Sequence, residues 1–465
     1  MGRGSWAMLL VVAAATAEAQ GFALSEIGTC AVSRAFAATA APCADGSAVF
    51  WNPAALAVHE GLTVSAGVAR IGVHSEFTRD STGGLHEGDD MAEYPPHLFA
   101  AYRLSPRLAF GGGAYVPYGL TSAWRPDFPG RFVVQRASLR TIYVQPTVAL
   151  ALTPGWSIGG GPVIGHSTVE LVQALDLSRQ TLLPGITFGM LGVPRGTEFA
   201  RATLEGTSTA IGYNVGVHGR LGAIRLGLRY LSAVRFEYDD SDAMFDQIPA
   251  DLTVPAALQI PGGPSIPAGT PVDDLLSPQF TEGGPLSAQS VRTEITHPWQ
   301  LQGGAALTIR ERTTLSLEAA WMGWSAFDEV AVDFSNPATP DLRLIEDYET
   351  SWTLRIGAEH VLANGWAART GLAVARSPAP DETVTPLLPE QDRTNFGAGL
   401  GVPIASGWTL DVGYLRVQGS GRRGRIVERE ARSQRADELN EGFYVLTANV
   451  LSVGLRYGGT REAAR

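Results

Sequence analysis

Apolar and polar residues alternate singly along several stretches of this chain. From Ile224 to Glu237, Ile224, Leu226, Leu228, Tyr230, Val234 and Phe236 fall on one face, and Arg225, Gly227, Arg229, Arg235 and Glu237 on the other. Trp299–Gln302 opens a similar run, continued by Ala305, Leu307 and Ile309 against Gly304, Ala306 and Thr308. Trp352, Leu354 and Ile356 oppose Thr353, Arg355 and Glu359, while Trp408, Leu410, Val412 and Tyr414 oppose Asp411 and Gly413. A period of two predicts strands with one apolar and one polar face.

Tight-turn signals centre on Ser105-Pro106, Thr153-Pro154-Gly155, Leu221-Gly222-Ala223, Arg310-Glu311-Arg312, Leu362-Ala363-Asn364-Gly365 and Ala405-Ser406-Gly407. Between them lie polar or Pro/Gly-rich stretches near 79–96, 119–137, 173–200, 239–289, 331–349, 378–390 and 419–445. Six turns and seven loops join fourteen strands, an even number. Short turns on one side and long loops on the other predict an all-β fold, a 14-stranded antiparallel transmembrane β-barrel of the outer-membrane type. A soluble sandwich would alternate too, and the loop asymmetry argues against it. So do Trp156, Trp366 and Trp408, each directly after a turn glycine on the same side, where an interfacial aromatic girdle would sit.

Composition fits this picture. Charged residues are 17% of the 465, below the roughly 25% of soluble domains. Mean hydropathy is +0.04, and after the N-terminus no apolar run approaches the ~18 residues of a membrane helix. The net charge of −11 shows no concentrated basic face, so no nucleic-acid partner is expected. Arg3, the apolar stretch Trp6–Ala17 and Ala17-Glu18-Ala19 read as an export signal over residues 1–19. The remaining divisions are an N-terminal segment at 20–58, a barrel at 59–457 and a C-terminal extension at 458–465. Residues 21–58 are Ala-rich with little alternation, and are expected to tuck into the barrel as a plug. Cys30 and Cys43 would form a disulfide in an oxidising compartment, worth about 3 kcal/mol; two buried thiols are the alternative.

Chemistry of the enzymatic kind is sparse. Gly155-Trp156-Ser157-Ile158-Gly159 fits the spelling of a nucleophile elbow, but a turn leading into a glycine-rich strand replaces the strand-turn-helix that motif needs. Histidines such as His166, His218 and His297 lack metal-ligand spacing. No cofactor, metal or catalytic residue is expected. An outer-membrane lipase using Ser157 and a general porin are the rival readings.

Gly21-Phe22-Ala23-Leu24-Ser25-Glu26, Arg34-Ala35-Phe36 and Asp45 to Leu56, which contains Asn52-Pro53-Ala54, resemble the hatch of the FadL-type outer-membrane transporters. That family (OmpP1/FadL/TodX) includes channels for aromatic hydrocarbons. Tyr115-Val116-Pro117-Tyr118-Gly119, Gly130-Arg131-Phe132 and Gln145 to Ala149 are similar to the region from its third to its fourth strand. The resemblance implies inward movement of hydrophobic compounds, long-chain fatty acids or hydrocarbons, by a monomer set among membrane lipid and lipopolysaccharide. It further implies capture between extracellular loops, a pocket inside the barrel, and sideways exit at a kink in the third strand. Asn52, Pro53 and Ala54 are carried over as hatch residues near that kink.

Several side chains are candidates for this route. Apolar loop residues suggest a capture surface: Leu182, Leu183, Ile186, Phe188, Met190 and Leu191 in one loop, and Met244, Phe245, Ile248, Leu252, Val254, Leu258 and Ile260 in another. The same residues could instead pack on each other as a lid. Gly111, Gly112 and Gly113 either permit an opening in the wall or make room for the hatch. Arg225, Arg229, Arg235 and Arg355 face inward on the alternation, available to a carboxylate or paired with Glu237, Glu318, Glu359 or Asp411. The charged run from Arg422 to Arg435 reads as solvated, with lipopolysaccharide phosphates as an alternative contact.

Overall fold

Fourteen antiparallel strands close into a barrel in the computed structural model, which describes residues 21–89, 91–183, 185–259, 265–424 and 442–458. In chain order they are β1 Leu62–Arg79, β2 Pro96–Arg103, β3 Leu108–Ala123, β4 Arg136–Thr153, β5 Trp156–Asp176 and β6 Glu198–Leu221. β7 runs Ile224–Leu231 and resumes at Val234–Gln247; β8 runs Gln289–His297 and resumes at Gln300–Ile309. Then come β9 Thr313–Met322, β10 Ser351–Val361, β11 Ala367–Ala375, β12 Arg393–Ala405, β13 Trp408–Gly419 and β14 Gly442–Gly458. Each pairs with its sequence neighbour, and β1 pairs with β14 from Thr63↔Gly458 to Arg79↔Gly442, which closes the ring. The export-signal residues, Ile260, residues 425–435 of the charged run, residues 436–441 and 459–465 lie outside the described residues.

The two faces carry opposite chemistry. Outward at membrane depth stand Val148, Ile158, Val217, Leu317, Ile356 and Leu400, all exposed, as lipid contact requires. Trp156, Trp366 and Trp408 end this band on the short-turn side, each 39–41% exposed. Trp321, opposite Trp352, ends it on the other side. From Thr313 to Trp321, at about 3.3 Å per residue, the strand covers roughly 26 Å along a tilted path, comparable to an outer-membrane apolar band.

The inward face at the same depth is polar: Gln145, Asn214, Arg229, Gln302, Glu318 and Arg355 are all buried. What buries them is the N-terminal segment. Residues 21–58 touch the inner face nearly all round the ring, from Thr29 Oγ1 against Ser452 Oγ at 2.8 Å to Asn214 Nδ2 donating to Phe50 O at 3.0 Å. Backbone groups of this short-helical segment that have no ladder therefore find partners on strand side chains. Cys30 and Cys43 are bonded within it.

One sequence expectation needs correction. β7 breaks at Ser232 and Ala233, and the alternation changes face there. Arg225 and Arg229 point inward, but beyond the break Val234, Phe236 and Tyr238 are the buried set. Arg235 faces outward and pairs with Glu237 at 3.1 Å and Glu294 at 2.6 Å. A one-step offset moves every following side chain to the other face.

A window in the barrel wall and the cavities behind it

The Asn52-Pro53-Ala54 turn is fixed by its own chemistry. Asn52 Oδ1 accepts from Ala54 N–H at 3.2 Å and Pro53 starts a 3-10 turn, where its missing N–H costs nothing. Asn52 Nδ2 donates to Thr39 O at 3.0 Å and to Val217 O at 3.1 Å on β6. Ser157 donates to Ala54 O at 2.8 Å, so the serine of the elbow-like sequence is a buried strand residue holding the segment. The triplet thus sits against β5 and β6 near their short-turn ends, away from the irregular part of β3. On the other side of Thr39, Glu318 on β9 accepts three consecutive N–H groups, Ala38 at 3.1 Å, Thr39 at 2.7 Å and Ala40 at 3.0 Å.

The irregular part of β3 lies beyond the glycines. Gly111, Gly112 and Gly113 pair continuously with Ala101, Ala100 and Phe99 on one side and Thr147, Pro146 and Gln145 on the other. A Cβ on Gly111 would stand 2.8 Å from Leu56 and 2.9 Å from Val49, and one on Gly113 would meet the Phe99 ring at 2.5 Å. Gly111 leaves space for the segment and Gly113 for the Phe99 ring, and the wall is closed at all three. The register with β4 slips by one residue between Tyr115 and Tyr118, so both tyrosines turn inward and are fully buried. Pro117, lacking an N–H, sits within this bulge.

On its other side β3 loses its partner at the same level. β2 ends its pairing at Leu98↔Ala114, and β1 meets β2 only up to Val68↔Pro96. The ring is re-joined above by the Gly88–Trp124 bridge and by Asp89 N–H to Ala123 O at 2.9 Å. Between these limits the free edge of β3 is met from inside by the N-terminal segment. Leu24 N–H donates to Pro117 O, and Gly119 N–H to Phe22 O, each at 2.9 Å. Gly21 N–H is held by Glu390 Oε2 at 3.0 Å. Burial raises the Glu390 carboxyl above its usual range, opposed by neighbouring Arg393.

A cavity of about 300 Å³ occupies this window, bordered by Leu24, Ile71, Tyr94, Val116, Leu120 and Leu139. A second cavity, about 100 Å³, lies in the upper lumen among Phe22, Leu120, Leu139, Leu171, Phe327 and Leu344. Leu120 and Leu139 border both. The resemblance implies a pocket inside the barrel, but none of the residues lining this chamber is singled out for it by the sequence. Its signal was present in Leu139, Leu171 and Leu204, apolar residues on a face that is polar lower down.

Three of the loop residues proposed for capture, Leu182, Phe188 and Phe245, pack in one cluster. Phe188 is 2% exposed, and Leu182 and Phe245 pack with it against a cluster containing Leu177, Phe199, Val254 and Leu276. Ile186 and Ile248 are half-buried, Met190 is exposed, and the side chain of Leu183 lies outside the described residues. Long apolar loops gain stability by burying one another, and the exposed Met190 and Met244 keep apolar surface on the outside. The inward arginines are only partly engaged, and Arg229 Nη2 and Arg355 Nε and Nη2 are buried with no hydrogen-bond partner among the described residues. Arg229 donates to Asn214 at 3.1 Å and Gln300 at 3.0 Å, with its guanidinium 4.0 Å over the Phe50 ring. Arg355 lies 5.7 Å from the Trp51 ring and donates to Phe36 O at 3.4 Å. Arg422 is bound by Asp381 and Arg423 by Asp80.

The sequence matches the family model for outer membrane protein transport proteins (OMPP1/FadL/TodX) over residues 10–458. The chain belongs to that family. It is 24% identical over 414 residues to a 47 kDa outer membrane protein of Pasteurella multocida, covering 89% of this chain and 90% of that one. To a long-chain fatty acid transport protein of Escherichia coli O6:H1 it is 22% identical over 427 residues, covering 90% and 91%. Its fold is similar to that of a Pseudomonas aeruginosa FadL homologue, with TM-score 0.76, 20% identity and coverage of 94% and 99%. The Ralstonia pickettii toluene transporter TbuX aligns with TM-score 0.62, 16% identity and the same coverage. Membership places the barrel in the outer membrane, with the short turns periplasmic and the long loops outside.

Proposed function

We propose that this barrel moves hydrophobic compounds, long-chain fatty acids or aromatic hydrocarbons, inward across the outer membrane, as a monomer surrounded by lipid and lipopolysaccharide. In this reading, solute passes beneath the extracellular loops into the upper apolar chamber and leaves sideways through the window beside β3. Residues 21–58 act as the hatch that blocks the lumen below. The observation that carries it is the position of the one-residue bulge at Tyr115–Tyr118, where an unpaired wall edge adjoins an apolar cavity. An apolar solute gains nothing from a water-filled path, whereas an opening at membrane depth delivers it to hydrocarbon. Gly111–Gly113 take a supporting part here, by letting the hatch approach the wall below the opening.

The test is uptake of labelled oleate and toluene by cells with and without the gene, beside a variant lacking Pro117. That deletion removes the extra residue and should let β3 pair straight. Uptake of at least one compound should depend on the gene and fall in the variant, while heat-modifiable gel mobility shows an intact barrel. Equal uptake of both compounds in both strains would sink the transport reading. Undiminished uptake by the Pro117 deletion would remove the sideways exit alone. Steady ion conductance in planar bilayers would favour the porin reading instead.

A further inference from the structure

We infer that Arg70 and Arg416, on the outer surface of the barrel, hold a phosphate of an outer-leaflet glycolipid of the lipopolysaccharide type. The inference rests on the proposed setting among lipopolysaccharide and gives that partner a place on the wall. β1, β14 and β13 lie side by side, with Gly72 opposite Asn449 and Asn449 opposite Arg416. Alternation turns Arg70, Tyr414, Arg416, Asn449 and Leu451 outward, while Ile71, Leu415 and Val450 are buried. Tyr457 lies beside Trp408 at the periplasmic edge of the apolar band. From there to Asn449 the strand covers roughly 26 Å at about 3.3 Å per residue, which puts Asn449 at the outer edge.

The side chain of Arg70 starts within the band and climbs out of it. Its Nη1 lies over Gly72, where an added Cβ would stand 3.1 Å away. A long cationic side chain near the edge of the band lifts its charge to the headgroup level in this way. Arg70 makes no hydrogen bond or ion pair among the described residues. Arg416 is met by neutral oxygens alone, Asn449 Oδ1 at 3.3 Å and Gln418 Oε1 at 3.1 Å. Tyr414 donates to the same Asn449 oxygen at 2.7 Å, so the Asn449 amide is held with Nδ2 left as a further donor. Other outward arginines already have carboxylates, Arg235 with Glu294 and Arg140 with Glu93, and Glu76, higher on β1, is taken by His74. The two guanidinium groups stand over strands two apart, about 10 Å. A phosphate supplies the charge they lack and matches the guanidinium fork. Below them Val68, Leu451, Val453 and Val412 are exposed and offer an apolar face to acyl chains. Arg70 is two residues beyond Val68, where pairing with β2 ends, so the bound lipid would line the membrane side of the window.

The experiment titrates the full-length barrel in detergent with lipid A carrying its phosphates and with the dephosphorylated lipid, and reads bound lipid by native mass spectrometry. The phosphorylated lipid should bind ~30-fold more tightly. Arg70→Ala or Arg416→Ala should each weaken it about fivefold, the effect of one exposed arginine at an anionic lipid surface, and the double variant should lose the whole difference. Arg235→Ala, which removes an arginine already paired, should change nothing, and an excess of inorganic phosphate should not displace the lipid. Gel mobility checks that each variant is folded. Phosphate-dependent binding that survives in the double variant would overturn this site while leaving the lipopolysaccharide setting standing. Equal binding of the two lipids would overturn both. An equal loss from Arg235→Ala would reduce the effect to net charge, and displacement by inorganic phosphate would assign the patch to the free ion; either overturns the lipid site.

Discussion

Replacing Glu318 by alanine should unseat the N-terminal segment without opening the barrel. Glu318 is 3% exposed, and its two oxygens take the N–H groups of Ala38, Thr39 and Ala40. The substitution removes three hydrogen bonds to a charged acceptor and strands three buried donors. At roughly 1.5 kcal/mol each, the low end for such bonds, the loss is about 4.5 kcal/mol. The strand ladders of β9 with β8 and β10 are backbone-made, so the penalty falls on docking of the segment. An energy of that size raises the undocked population on the order of a thousandfold. Glu318→Gln keeps the shape and one good acceptor, and should lose about half as much. Two readouts follow the segment: channel openings in planar bilayers, and tryptic cleavage after Arg34, which is 2% exposed in the docked state. Openings and cleavage should both rise in the order native, Gln, Ala. A folded alanine variant with native conductance and a protected Arg34 would show that the carboxylate cradle does not hold the segment.

Three further outcomes are expected. Breaking the Cys30–Cys43 bond by a double serine substitution, across a separation of 13 residues, should cost the segment about 3 kcal/mol, read as faster hydrogen exchange confined to residues 21–58. Gly371→Ala would drive a methyl group into the Arg34 backbone, and should cost about 1–3 kcal/mol in thermal unfolding, with Arg34 cleavage increased. Glu346, in the loop before β10, is pushed up to about 8 by burial. Because the folded state favours the protonated form, its stabilising contribution is complete below about pH 4.5 and is lost as pH rises through about 8. The slope is at most ~1.4 kcal/mol per pH unit. Melting temperatures across that range should fall in the native protein, and the fall should be smaller in Glu346→Gln.

Strand number, strand direction and the sidedness of the loops were readable because each rests on local chemistry: period-two alternation within strands, and Gly, Pro and Asn at the turns. What escaped was decided at a distance. The break at Ser232–Ala233 carries no turn residue, so the alternation appeared to continue and Arg235 was placed inside. A glycine run such as Gly111–Gly113 suits an opening as well as a close contact. The close contact is visible only once the folded segment brings Leu56 and Val49 opposite Gly111. Hydrophobicity in the loops suited an exposed capture surface and a mutually packed lid alike, and the packing of Phe245 against the cluster around Phe188 comes from contacts between distant segments. The bulge did leave a mark in the sequence. Pro117 stands inside a strand, where proline is confined to edges and bulges, and it points more directly to the window than the glycines do.

The partners of the N-terminal segment have a consequence for how the molecule is made. Residues early in the sequence depend on residues far along it: Thr29 on Ser452, Gly21 on Glu390, Ala38 on Glu318. They must wait, uncommitted, until nearly the whole chain has been exported. Docking therefore reports that the strands have met in the right order and register, since an error anywhere on the ring would misplace at least one of these contacts. The docked segment thus carries, in one stretch of chain, contacts that exist only when the ring is correctly closed.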